Sequence, residues 1–377
     1  MKLMHLSDLH IGKRLNEFSL LDDQSYILDE ILRITEEQKP DAAAIAGDIY
    51  DKSTPSAEAV ALFDSFITRL ARLVKPIFVI SGNHDSAERI AFGSSLMQTA
   101  GVYLSPVYNG AAEPVKVNDE FGSVNVYMLP FIRPSDVRRV YPDDDTESFD
   151  SAFKAAVSHL DVNENERNIM IAHQFITGAA AGGSESVSVG GLDNISAQVF
   201  APFDYTALGH IHSRQNISSE KVRYCGTPLK YSFSEVKDEK TVTFANLGEK
   251  GSLSVEEVPL RPLRDLREIK GSYLEITDRS FYDKFNREDY IHVTLTDEND
   301  IPEAIGRLRA VYPNIMKLDY DNTRTRENRT ITDLADEVKR SPAELFSEFY
   351  ENCNNAALSD EQKEYLDGVI KEIWDNA

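Results

Sequence analysis

Five short polar signatures punctuate the chain: Asp8-Leu9-His10, Gly47-Asp48, Gly82-Asn83-His84-Asp85, Ala172-His173 and Gly209-His210-Ile211-His212. Their side chains offer oxygen and imidazole donors and no thiolate, a set that suits manganese, iron or zinc. Two cations about 3.5–4 Å apart need a shared carboxylate. Asp48 is the natural bridge, because its loop carries a carboxylate directly after Gly47, and a glycine lets backbone approach closely. Asp8, His10 and one histidine of the His210/His212 pair can then complete one metal, with Asn83, His173 and the other histidine on the second. A hydroxide between the metals is the expected nucleophile, so the set points to a two-metal phosphoesterase centre. His84 stands apart, since consecutive side chains rarely reach one ion and Asn83 already points there. It is better suited to act as an acid that protonates a leaving oxygen, with Asp85 holding its ring in orientation.

These residues need elements that bring them together. Each signature follows a short apolar run, residues 3–6, 42–46, 76–80, 169–171 and 205–208, with the length and content of buried strands. The polar residues therefore fall at strand carboxyl ends, the edge at which open α/β sheets bind ligands. His5, His159 and His292 lack such a setting and are expected to be structural. Residues 26–34 carry Ile27, Ile31 and Ile34 at helical spacing. The Gly-, Ala- and Ser-rich stretch 178–191 is expected to be a loop beside the site.

The domain reading is residues 1–260 for the metal-bearing α/β domain, 261–321 for a small αβ cap, 322–330 for a linker and 331–377 for C-terminal helices. Pro259 and Pro262 mark the first boundary. Within the cap, residues 273–276, 290–295 and 315–318 read as strands around a helix over 301–311. In the tail, Ser341-Pro342 with Glu344, and Ser359 with Gln362, are capping-box helix starts. Leu345, Phe346, Phe349 and Tyr350 form one apolar stripe, and Leu366, Val369, Ile370, Ile373 and Trp374 another.

Composition sets outer bounds. The 377 residues are 41% hydrophobic and 27% charged, an ordinary globular balance. No apolar run approaches the roughly 18 residues of a membrane span, and Cys225 and Cys353 stand far apart outside any CxxC pattern, so a reducing cytoplasm and no membrane partner are expected. The net charge of -23 opposes DNA binding, which draws on Lys and Arg neutralising phosphates. Divalent cations reverse the local sign in an acidic cleft, and Lys13, Arg14 and Arg89 are candidate phosphate contacts.

The motif order DLH, GDIYD, GNHD, AHQ, GHIH resembles the calcineurin-like metallophosphoesterase superfamily. The stretches GNHDSAERIAFGSSLM, LPFIRPSDV, SVGGLDNI, CGTPLKYSFSE and PLRDLREIKG narrow the resemblance to the SbcD family, the nuclease subunits of bacterial SbcCD complexes. That resemblance implies a two-sheet sandwich flanked by helices, an αβ cap and C-terminal helices. It implies two Mn2+ ions, the first on Asp8, His10, Asp48 and His212, the second on Asp48, Asn83, His173 and His210, with His84 as the acid. The implied activities are 3′ to 5′ double-strand exonuclease and single-strand or hairpin endonuclease, used in DNA repair, recombination and replication. The implied partners are DNA, the ATPase SbcC gripped by the C-terminal helices, and a second copy through residues 57–73, within a heterotetramer. The chain carries no GxxxxGK phosphate loop, so ATP dependence would come from the partner. The alternatives are a small-molecule phosphodiesterase of cyclic-nucleotide type, a protein Ser/Thr phosphatase, and a non-catalytic scaffold. The second signature lacks that phosphatase's Arg, and the complete donor set argues against a scaffold.

Overall fold

The structure, a computed structural model, describes residues 1–110, 113–180, 182, 194–323 and 325, together with 346–347, 350, 358–359, 361–363, 365–366 and 368–369. Two compact units are distinguished: Met1–Ile269 with Ile276–Val293 and Glu303–Leu318, and Lys270–Glu275 with Thr294–Pro302 and Asp319–Ala377.

The first unit is built on two six-stranded sheets. From edge to edge, one runs Leu253–Pro259, Thr241–Leu247, Lys2–Leu6, Ala42–Ala46, Ile77–Ile80 and Val102–Leu104. The other runs Gln215–Ile217, Ser219–Tyr224, Tyr205–Gly209, Arg167–His173, Gly122–Leu129 and Val115–Asp119. Lys2–Leu6, Ala42–Ala46 and Ile77–Ile80 are mutually parallel, as are Gly122–Leu129, Arg167–His173 and Tyr205–Gly209. Parallel neighbours require crossovers, and the helices Leu21–Gln38 and Ala57–Leu73 supply them on the first sheet.

Side chains on these strands alternate between two cores, because successive residues face opposite ways. Leu3, Ala42, Ala44, Phe78 and Ile80 meet Val126, Ile169, Ile171 and Tyr205 between the sheets. Met4, Ala43, Ile45 and Val79 turn outward onto Ile27, Ile31, Phe66 and Leu70 of the two helices. Behind the second sheet, Tyr127, Met170 and Leu208 pack on Phe153 and Ala156 of the helix Phe149–Ser158. The result is the helix–sheet–sheet–helix sandwich that the resemblance implies, and burial on both faces explains the continuously apolar strands. The helix Ala57–Leu73 spans the residues expected, opened by the Ser56 hydroxyl accepting from the Ala59 N–H at 3.3 Å.

After residue 261 two expectations are corrected. The three-stranded sheet is Leu266–Gly271, Tyr290–Leu295 and Ile315–Tyr320. Tyr273–Ile276 is therefore a helical turn, not a strand. The Ser272 hydroxyl accepts from the Glu275 N–H at 3.3 Å and Asp297 accepts from the Tyr273 N–H at 2.7 Å, which caps a turn in place of a ladder. The helix over 301–311 is shorter, Ala304–Arg309, because Glu303 sits in the left-handed region at φ 53°. Most of 178–191, 322–330 and 331–377 lies outside the described residues. Within the tail, the Ser359 and Gln362 side chains do exchange capping bonds with each other's N–H at 3.3 and 2.9 Å.

Phe153 is 1% exposed at the centre of the second outer core. Phe153→Ala is expected to lose about 3–5 kcal/mol of stability, read as a lowered midpoint in urea unfolding followed by circular dichroism.

Candidate metal centre

All five signatures emerge from carboxyl ends of parallel strands, and backbone bonds stitch their loops together. The Asp8 N–H donates to the Gly47 carbonyl at 3.0 Å and the His10 N–H to the Asp48 carbonyl at 2.9 Å. The His210 N–H donates to both Asp8 carboxylate oxygens at 3.0 and 3.1 Å, and the His84 N–H donates to Asp48 Oδ1 at 2.9 Å. Asp8, His10, Asp48 and His210 have φ of 53°, 43°, 49° and 105°. Left-handed backbone at non-glycine residues costs about 1–3 kcal/mol each and persists only where the surroundings impose it. Here it aims the donors inward.

The loops meet so tightly that only glycine fits between them. A Cβ on Gly82 would lie 2.2 Å from Asp48 Oδ1, and one on Gly209 1.9 Å from the Ala46 carbonyl oxygen. The expected close approach at Gly47 is also found, with His173 Nδ1 2.4 Å from where a Cβ would stand.

Three groups of donor atoms each lie within 4.8 Å of one another: Asp8, His10 and His212; His10, Asp48 and His84; and Asp8, Asp48 and His173. His10 Nε2 and His212 Nε2 are 3.1 Å apart. His212 Nδ1 faces Glu235 Oε1 at 3.5 Å, which directs its proton there and leaves an Nε2 lone pair toward His10. On the other side, His173 Nδ1–H donates to the Ala46 carbonyl at 2.8 Å, and Nε2 faces Asn83 Oδ1 at 2.9 Å and Asp48 Oδ2 at 3.4 Å. His210 Nδ1 is 3.0 Å from the same Asn83 oxygen. Without a metal these donors stay close only with protons between them, and a cation can take the place of those protons, so the donor set fits a dimetal centre. His212 lies with Asp8 and His10, while His210 lies with Asn83 and His173.

The electrostatics agree. Burial pushes the Asp8 carboxyl up to about 6, opposed by His173 and reinforced by Asp48. Burial would raise Asp48 as well, yet His173, His10 and His84 hold it well below the usual carboxylate range. Burial disfavours a charged His173, but Asp48 lifts it to about 9. His10 lies well below its ordinary value because of burial. Asp48 is thus the strongest negative site in the cluster and keeps its charge.

One expectation fails. Asp85 does not hold His84: its carboxylate accepts from the Ile49, Tyr50 and Gly82 N–H groups at 3.1, 3.0 and 2.9 Å, folding back to tie two loops. Burial and then the Asp48 charge push it up to about 6. The His84 ring is held instead by the Asp51 carbonyl, 3.0 Å from Nδ1. Of the candidate phosphate contacts, Lys13 pairs with Asp51 at 2.8 Å, Arg89 donates to the Ser53 carbonyl at 2.6 Å and Arg14 to the Glu17 carbonyl. His5, His159 and His292 stand apart from the cluster, on Tyr205, Asp144 and Glu268.

Residues that the motifs did not flag support the centre. The Lys240 ammonium donates to Glu235 at 2.6 Å and to the His212 carbonyl at 3.0 Å. Burial opposes ionisation of Glu235, but His212 and Lys240 hold its carboxyl down at about 2. The Gln24 amide donates to the His10 carbonyl at 2.7 Å and to the Tyr231 hydroxyl at 3.1 Å, and that hydroxyl donates to the Leu9 carbonyl at 2.5 Å. Glu235 and Tyr231 do lie within the CGTPLKYSFSE stretch, the one signal that could have drawn notice to them.

The calcineurin-like phosphoesterase family model matches residues 1–214, and that described as type 5 capsule protein repressor C-terminal domain matches residues 262–354. With the sandwich and the converging donors, these define a calcineurin-like phosphoesterase. The SbcD subunit of the SbcCD nuclease of Staphylococcus epidermidis is 32% identical over 382 residues, spanning 100% of this chain and 99% of that one. The chain belongs to the SbcD family. Among solved structures, a dimetal phosphatase from Danio rerio is 11% identical, covering 69% of this chain and 96% of its own with a TM-score of 0.43. A Thermus thermophilus protein is 12% identical over 68% and 98%, with a TM-score of 0.38.

Gly82→Ala is expected to abolish high-affinity metal binding, read by calorimetric titration with Mn2+, because the atoms nearest the new Cβ all belong to Asp48. A pH dependence follows for the metal-free protein. His173 holds its proton up to about 9 when folded, against 6.5 ordinarily. The stability it contributes is complete below the lower value and is lost as pH rises through the higher one. Thermal unfolding in EDTA should show that loss, and His173→Asn should flatten it.

Proposed function

We propose that this chain is a Mn2+-dependent DNA nuclease with 3′ to 5′ double-strand exonuclease and single-strand or hairpin endonuclease activity, acting in the cytoplasm with an SbcC-type ATPase in DNA repair, recombination and replication. The observation that carries this is Asp48 standing in two donor groups at once, in a chain similar over its length to a nuclease subunit. Asp8, His10, Asp48 and His212 would hold one ion, and Asp48, Asn83, His173 and His210 the other, manganese being favoured over iron or zinc. When bound, two such ions neutralise phosphodiester charge and lower the pKa of a water for attack.

The chain's own residues do the rest. The Asp51 carbonyl accepts the His84 Nδ1 proton and fixes the ring, so that the imidazolium form can hand its Nε2 proton to the leaving oxygen and be left neutral. Glu235 and Lys240 lock the His212 ring, as carboxylate–histidine pairs do at metal sites. In this reading residues 1–260 cut, 261–321 cap the cleft, and 322–330 lead to the tail 331–377 that docks on SbcC. Exposed Phe346 and Tyr365 in the tail support docking. Val60 and Leu73, exposed on the helix Ala57–Leu73, support a homodimer within a heterotetramer.

The net charge of -23 favours a second reading, a small-molecule phosphodiesterase of cyclic-nucleotide type. A hairpin-ended duplex incubated with Mn2+, with EDTA, and with SbcC and ATP separates the two. The nuclease reading expects cutting that needs metal, is stimulated by SbcC with ATP, and falls by about 10²–10⁴ in His84→Gln with metal content retained. DNA left intact throughout while bis-nitrophenyl phosphate is hydrolysed would assign the site to a small substrate.

A further inference from the structure

We propose that a cavity beside Asn83 is a subsite for the strand phosphate that flanks the scissile one, gripped by Arg133 with Arg139 and the Tyr108 hydroxyl; this rests on the nuclease reading above. The cavity, about 260 Å³, reaches Ser81, Gly82 and Asn83 on one side and Tyr108, Phe131, Arg133 and Arg139 on the other. It therefore opens directly against a residue of the metal centre.

Its charges are unevenly committed. The carboxylates are engaged: Asp85 by three N–H groups, Asp136 by the Arg133 N–H at 3.0 Å, and Glu88 by the Ser86 hydroxyl at 2.8 Å. The Arg133 guanidinium is not. Among the described residues no carboxylate pairs with the Arg133 guanidinium, which lies 5.8 Å over the Phe131 ring, and Arg139 reaches only Asp136 at 3.9 Å. The Tyr108 hydroxyl is buried with no hydrogen-bond partner. A buried donor left unmade costs stability and asks for an acceptor. A guanidinium fork and a hydroxyl that both lack acceptors suit the clustered oxygens of a phosphate.

The anchor of Arg133 sets where that phosphate would sit. The Phe131 N–H donates to the Ser81 carbonyl at 2.9 Å, and the Gln174 amide to the Ile132 carbonyl at 2.9 Å. The segment Phe131-Ile132-Arg133 is thus fastened both to the loop of Asn83 and to the residue after His173. The Phe131 ring also meets His173 edge-on, with centroids 6.3 Å apart. Arg133 is carried at a fixed offset from the metal ligands, as a contact to a neighbouring linkage requires. Lys13 is paired with Asp51, while Arg14 and Arg89 each give a bond to a backbone carbonyl, of Glu17 and Ser53.

The test is equilibrium binding of a fluorescein-labelled single strand in Ca2+, wild type against Arg133→Ala, using strands in which a neutral methylphosphonate is moved through the linkages around the cleavage site. A neutral linkage at one flanking position should weaken wild-type binding about tenfold. Arg133→Ala should weaken the all-phosphate strand similarly, show no further loss at that position, and have a salt slope shallower by about 0.7. Arg133→Lys should recover part of the loss. Wild-type affinity in Arg133→Ala, or losses that multiply at every position, would overturn the subsite. Inorganic phosphate displacing the strand without any position linked to Arg133 would mean a site for the free anion, and the strand assignment would fall. A wild type that binds and cuts no strand while hydrolysing bis-nitrophenyl phosphate would remove the nuclease reading and the subsite together.

Discussion

Backbone must touch backbone where the strand ends meet, and the rest of the centre depends on that approach. Gly209 lies against the Ala46 carbonyl and Gly82 against Asp48, at distances that leave no room for a Cβ. Donors from five loops can share a few ångströms only because these positions carry no side chain. The alanines at 42, 44 and 46 extend the same economy of bulk into the core between the sheets. Left-handed backbone at Asp8, His10, Asp48 and His210 is the strain that follows, and the parallel strands behind each loop are rigid enough to hold it.

Convergence of this kind is electrostatically unfavourable by itself. Two imidazole nitrogens 3.1 Å apart, and a carboxylate buried beside another, form an arrangement that a folded chain keeps only with protons or cations between the groups. Asp48 and His173 meet the demand with a proton when no metal is bound, and the same field would draw a divalent ion. Around them runs a layer of clamps with no motif of their own. Lys240 and Glu235 fix His212, Gln24 and Tyr231 fix the Leu9-His10 backbone, and Asp85 ties the Asp48 loop to the Asn83 loop. These bonds narrow each donor's freedom before any ligand arrives, which is how a strained site stays ordered.

The charge of the whole chain and the chemistry of its centre pull in different directions. A net -23 repels a polyanion at long range, yet screening confines that repulsion to about a Debye length, roughly 8–10 Å in physiological salt. What a phosphodiester meets at the cleft is set by local groups: the metals the donors would hold, and cations without carboxylate partners. Lys13 and Lys240 near the centre are neutralised by Asp51 and Glu235, so a cation that lacks such a carboxylate acquires a weight that composition hides.

By itself the sequence determined the class of chemistry and the elements that serve it. Donor types, glycine neighbours and short apolar runs were sufficient to place Asp8, His10, Asp48, Asn83, His173, His210 and His212 at strand ends, because a buried parallel strand is apolar throughout and its polar exit is abrupt. The helix Leu21–Gln38 was legible for the same reason, the spacing of Ile27, Ile31 and Ile34 being local. Tertiary structure alone decided what turns on contacts across long sequence separations. Asp85 and His84 are adjacent in the chain, yet Asp85 bonds to the Ile49 and Tyr50 N–H groups and His84 to the Asp51 carbonyl rather than to each other, about which sequence proximity carries no information. Glu235 and Lys240 acquire a role only because their segment folds beneath His212. In the small sheet, alternation weakened by Arg267 and Lys270 hid the strand Leu266–Gly271, and the more apolar Tyr273–Ile276 coiled into a turn because Ser272 and Asp297 were there to cap it. Local pattern states what a segment can bury, but only the neighbours it meets decide which of its polar groups are satisfied and which stay free to act.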